Sequence, residues 1–185
     1  SAPSVDLNID ENSTNGTNVG FVVSSDPDTP QDIVFDGTLN EAPEPVLIAN
    51  NYTAGETFGG WTVRTGSVDH LANLVSGYPF GGLAAELNGG SGGSMYQTLS
   101  TDVGRQYQVL FTATGNWSLD SNNKQWRASA DGISHDYSTD RPDGWSSTNP
   151  VVETHAFTFT ATSNSTDLEF TSLDTESNSI IIGDV

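Results

Sequence analysis

Residues 107–114, YQVLFTAT, alternate without a break: Tyr107, Val109, Phe111 and Ala113 fall on one side of an extended chain, and Gln108, Leu110, Thr112 and Thr114 on the other. Successive strand side chains point to opposite faces, so this pattern is a β-strand with one buried face. The turn formers TDVGRQ lead into it. Downstream, residues 125–130 read as another strand, and Asp131-Gly132 after them is a hairpin signal. HAFTFTAT (155–162), LEFTSL (168–173) and SIIIGDV (179–185) close the chain as three more strands, while HDYSTDRPDGWSSTNP (135–150) reads as a long polar loop.

Upstream, residues 66–99, GSVDHLANLVSGYPFGGLAAELNGGSGGSMYQTL, hold two apolar runs around a glycine cluster, with Asp69 and Glu86 set inside them. WTVRTGSVDHL (61–71) divides into two strands near Thr65 and Gly66, and residues 51–60 before it read as a polar loop. Short strands are expected at 19–24, 33–35 and 46–49, separated by the proline-bearing segments SSDPDTPQD and TLNEAPEP. Many short strands with turns every eight to twelve residues predict an all-β antiparallel β-sandwich. No helix longer than a turn or two and no internal repeat is expected. Residues 1–36 read as an N-terminal fragment or strand extension, and 37–185 as the main sandwich.

The chain has 185 residues, 24 Asp and Glu against 5 Lys and Arg, and a formal net charge of −19. That field repels phosphate backbones and anionic lipid, which argues against nucleic-acid binding and membrane insertion. With no cysteine, disulfides and thiolate metal sites are excluded. So many carboxylates with so few cations suit calcium, a hard ion that takes several oxygen ligands. Asp6, Asn8, Asp10 and Asn12 stand at every second position and Asp26, Asp28 and Asp32 in the next acidic turn. An EF-hand counted from Asp6 fails, because Glu11 and Thr17 occupy the positions that need Gly and Glu. The calcium candidates are therefore Asp6, Asn8, Asp10, Asp26, Asp28, Asp69, Glu86, Asp136, Asp140 and Asp184.

Ligand contacts are expected from the loop carrying Tyr78 and Phe80, from Trp145, and from Asp143 and Arg141 beside it, since aromatic faces on a sandwich rim suit sugar rings or peptide side chains. Trp61 and Trp126 fit core positions equally well, and Arg127 and Arg141 fit local ion pairs. Catalysis has little support: His70, His135 and His155 lack zinc-ligand spacing, and there is no G-x-S-x-G elbow.

The series GWTVRTGSVDHL, AAELNGGSGGSMYQTLST, YQVLFTATGN, HAFTFTATSNSTDLEFTS and IIIGDV resembles the galactose-binding-like β-sandwich family, in the branch with bacterial choice-of-anchor C proteins and plant cell-wall proteins of unassigned function. The family's terminal Asp-Asp-Val is here Gly183-Asp184-Val185, so one carboxylate is missing. VDLNIDENSTNGTNVGFVV (5–23) is similar to the start of cadherin-like modules in giant calcium-dependent RTX adhesins of Gram-negative bacteria, marine ice-binding adhesins among them. These resemblances imply a jelly-roll or galactose-binding-like fold with calcium loops. They also imply a non-catalytic, calcium-dependent adhesion module, extracellular on the bacterial surface in a biofilm setting, and monomeric within a longer chain. Its partner would be a glycan or peptide on a host or neighbouring cell. A calcium-stiffened spacer and a polysaccharide-active enzyme are the alternatives.

Overall fold

The computed structural model describes residues 31–32, 49–71, 84–116, 123–141, 151–175, 179–183 and 185. They form two packed sheets with no helix among the described residues. The strands are β1 (Gln31–Asp32), β2 (Ala49–Thr53), β3 (Thr57–Phe58), β4 (Trp61–Thr65), β5 (Ser67–Leu71), β6 (Ala84–Glu86) and β7 (Ser94–Ser100). They continue with β8 (Gln106–Gly115), β9 (Lys124–Ala130), β10 (Ile133–Thr139), β11 (Glu153–Thr160), β12 (Ser165–Ser172) and β13 (Ile180–Gly183). The seven-stranded sheet runs β1-β8-β13-β6-β5-β2 with β11 also on β8, and the six-stranded sheet runs β10-β9-β12-β7-β4-β3. All pairings are antiparallel except β1, which lies parallel to β8 through Gln31 and Asp32. The predicted all-β sandwich is the fold observed.

The alternation in β8 does what its sequence dictates. Tyr107, Val109, Phe111 and Ala113 are all buried between the sheets. Phe111 meets Phe170 of the opposite sheet with ring centroids 4.9 Å apart in an edge-to-face arrangement. Trp61 and Trp126 are fully buried beside them, as their core reading required. Burying a side chain the size of Val109 or Phe111 contributes about 1.5–3 kcal/mol. Trp126 stacks on Tyr137, so it is unavailable as a rim platform.

Parts of two expected loops, 51–60 and 135–150, are strands. The polar ANNYT of 49–53 is β2, paired through Asn51↔Asp69 and Tyr52↔Val68, and Tyr52 turns inward to lie 4.9 Å from Phe58. Residues 135–139 belong to β10, in register with β9 from Ile133↔Ala130 to Thr139↔Lys124. Both are edge strands among the described residues, each paired on one flank only, so polar residues fit the pleat without an apolar signature. The expected strands at 19–24, at 33–35 and over most of 46–49 lie outside the described residues.

The division near Thr65 and Gly66 marks a crossing between sheets, for β4 belongs to the six-stranded sheet and β5 to the seven-stranded one. The Asp131-Gly132 hairpin is present, with φ of 51° and 78° joining Ala130 to Ile133. Positive φ at both central residues matches the right-handed twist of the flanking strands. Asp131 also accepts hydrogen bonds from the Thr162 N–H and, at 2.7 Å, from Thr162 Oγ1, tying this hairpin to the β11–β12 turn. Asp131→Ala is therefore expected to destabilise by about 2–3 kcal/mol, from lost charge-assisted bonds and an alanine held at positive φ. Asp131→Asn, which tolerates that φ, should cost less; equal losses in urea unfolding would contradict this account.

Candidate functional site

The sequence-predicted acidic residues separate into three groups. Asp69 and Glu86 face each other across β5 and β6 on the outer side of the seven-stranded sheet. Asp69 accepts a 2.7 Å hydrogen bond from Asn51 Nδ2. His70, its neighbour in sequence, points the other way into the core and stacks on Phe58 at 5.0 Å, because successive strand residues face opposite sides. Glu86 is 5% exposed, and its Oε1 accepts from Asn116 Nδ2 at 3.0 Å and the Ser179 N–H at 3.1 Å. Burial pushes the Glu86 carboxyl up to about 7, against the pull of those two bonds.

Asp136 and Asp140 lie elsewhere. Both Asp136 oxygens are held by Arg127, at 2.5 Å to Nε and 2.9 Å to Nη2, and this pairing holds its carboxyl below the usual carboxylate range. Asp140 accepts from Asn123 Nδ2 at 2.8 Å, and the candidate Arg141 follows it as an exposed residue. Asn51, Asp69 and Glu86 supply hard oxygen atoms side by side, yet among the described residues no group of three Asp, Glu or His side chains converges on one point. Asp6, Asn8, Asp10, Asp26, Asp28, Tyr78, Phe80, Asp143, Trp145 and Asp184 lie outside the described residues.

The outer face of the six-stranded sheet carries a feature that sequence reasoning missed. Thr62, Tyr96, Glu169, Ser129 and Ser134 stand in register across β4, β7, β12, β9 and β10, so their side chains share one face. The Arg64 guanidinium lies 3.9 Å from the Tyr96 ring centre, a cation–π contact. Arg64 also reaches Asp167 Oδ2 at 2.6 Å and Glu169 Oε2 at 3.1 Å, while Thr98 Oγ1 donates to the other Asp167 oxygen at 2.7 Å. Beside this network is a shallow depression of about 650 Å³, whose lining includes Arg64, Arg127, Ser129, Ser134, Asp167 and Glu169. Its volume falls within the roughly 300–1,000 Å³ range of small-molecule sites. Two of the chain's five cationic side chains stand here. In a chain this acidic, that scarcity is the signal the sequence carries.

Chemically, the face offers planar guanidinium and carboxylate groups fixed by one another, hydroxyls between them, and an aromatic ring beneath one cation. Such groups hydrogen-bond to pairs of neighbouring hydroxyls and lose little side-chain freedom in doing so. None of the described groups here pairs a nucleophile with a base.

Among curated proteins, none matches this chain. Among solved structures, it is similar to a family 35 carbohydrate-binding module from Clostridium thermocellum, with 12% identity over 73% of this chain and 87% of that one and a TM-score of 0.41. A CBM35 from Paenibacillus barcinonensis matches at 14% identity over 72% of this chain and 95% of that one, with a TM-score of 0.42. The exo-beta-1,3-galactanase Pc1,3Gal43A of Phanerochaete chrysosporium matches at 22% identity over 74% of this chain but 29% of that one, with a TM-score of 0.40. A family model covers residues 32–183, from β1 to the end of β13, and the chain therefore belongs to the family described as protein of unknown function, DUF642.

Proposed function

We propose that this protein is a non-catalytic glycan-binding module, acting in adhesion on the outside of a bacterial cell as one unit of a larger surface protein. The observation that carries the reading is the fixed polar network of Arg64, Asp167, Glu169 and Thr98 over Tyr96, beside a depression on an open sheet face. Sugars are recognised by such groups, through bidentate polar contacts to neighbouring hydroxyls, and the Tyr96 ring beneath Arg64 helps hold that guanidinium in place. The adhesin setting rests on the resemblance of residues 5–23. Retention on immobilised glycans tests the function. Tyr96→Ala with Arg64→Ala should weaken retention at least tenfold while leaving the fold intact by circular dichroism. Unchanged retention would place the ligand elsewhere.

Calcium is proposed separately, on the excess of 24 carboxylates over 5 cations. Millimolar calcium is expected to raise the thermal midpoint, because an ion bound only by the folded state stabilises it by mass action. A midpoint indifferent to calcium and chelator would remove the metal from the account.

A further inference from the structure

We infer that the six-stranded face takes an extended, uncharged oligosaccharide lying across the strands along the row Tyr96, Glu169, Ser129 and Ser134, and that it rejects uronates and sulfated glycans. The inference rests on the glycan-binding reading above and names its ligand class.

Charge decides the class. The depression is lined by two guanidinium groups and three carboxylates, those of Asp131, Asp167 and Glu169. Arg64 is committed to Asp167 and Glu169, and Arg127 to Asp136, which adds a fourth carboxylate at the margin. An anionic sugar would bring a further negative charge up to four carboxylates that already share two arginines. It would do so against the field of a chain with net charge −19. A neutral sugar meets no such repulsion, since its hydroxyls donate to carboxylate oxygens and accept from guanidinium N–H groups already in place.

Register decides the direction. Tyr96, Glu169, Ser129 and Ser134 are consecutive cross-strand partners on β7, β12, β9 and β10. Neighbouring strands are ~4.8 Å apart, about the length of one pyranose unit in an extended chain. An oligosaccharide perpendicular to the strands thus meets one row position per sugar, about four in all. A chain running along one strand would meet outward side chains of that strand only.

The test uses the whole chain against an array holding neutral, uronate and sulfated glycans, followed by calorimetry on the best neutral binder as a length series of two to six sugars. Affinity is expected to rise with each sugar to about four and then level off, with at least a tenfold preference over uronate or sulfated oligosaccharides of equal length. Ser129→Arg, which projects into the row, should reduce neutral binding at least tenfold. Tighter binding of the uronate or sulfated series would overturn the class while leaving a glycan-binding module. Affinity saturating at one or two sugars would overturn the crossing direction. Retention of no glycan at all would overturn both this inference and the function beneath it.

Discussion

Gly66→Ala is expected to lower stability by about 3 kcal/mol or more, one of the largest single-site losses in the molecule, although it adds one methyl group. Gly66 sits at φ +60° where the chain leaves β4 in one sheet and enters β5 in the other. A Cβ there would lie closer than 3.0 Å to the carbonyl carbon and oxygen of Gly92 and to Cα of Gly93. These are backbone atoms, stitched in place by the Gly93 N–H to Leu87 O bond at 2.8 Å and the Ser172 N–H to Gly93 O bond at 2.9 Å. They cannot yield as a flexible side chain would. Left-handed backbone costs a non-glycine residue roughly 1–2 kcal/mol, and forcing extra volume into a packed site costs roughly 1–3 kcal/mol more. Gly55→Ala is the matched control: its φ is +92°, but no atom lies within 4 Å of the added Cβ. It should lose only the conformational part. For a chain of this size, about 3 kcal/mol lowers the thermal midpoint by roughly 6–12 °C. Equal shifts for the two variants would show that close approach at Gly66 plays no role.

The glycine cluster of 66–99 was legible as a place of tight backbone, and the strands around it as strands. Their apolar period is local, and a period of two speaks for itself in YQVLFTAT or HAFTFTAT. Edge strands were not legible, because ANNYT and HDYST gain their structure from the partner they pair with and expose too much to carry an apolar code. The candidate site was hidden for a stronger reason. Arg64 and Asp167 are 103 positions apart, and Tyr96 and Glu169 meet only through the register of β7 and β12. Nothing local in WTVRT or STDLEFTS says that one arginine will lie across a ring and two carboxylates from two other strands. Glu86 was visible as a carboxylate inside an apolar run, and its environment explains why it stands there. It joins β6 to the segments that follow β8 and precede β13, through Asn116 and Ser179.

That environment makes stability depend on pH, with a definite sign. In the calcium-free protein, Glu86 titrates near 7 when folded, against an ordinary value of 4.5, chiefly because burial disfavours its charged form, with Asp69 opposite adding repulsion. A raised folded value means that, between 4.5 and 7, the native state keeps a proton that the unfolded chain has released. The contribution is thus fully present below about 4.5 and is lost as pH rises through about 7. At 1.36 kcal/mol for each pH unit of difference, the loss is about 3 kcal/mol. Glu86→Gln isolates this effect from the other carboxylates: its amide oxygen still accepts from Asn116 and the Ser179 N–H, but it never ionises. The variant should match the wild type near pH 5 and exceed it at pH 8 by about 3 kcal/mol, which is a midpoint higher by roughly 6–12 °C. Parallel stability curves from pH 5 to 8 would mean that Glu86 ionises in the folded protein without penalty. A gap that appears in chelator and closes in calcium would instead show that a cation reaches the Asp69–Glu86 pair, because a bound positive charge removes the cost of ionising it.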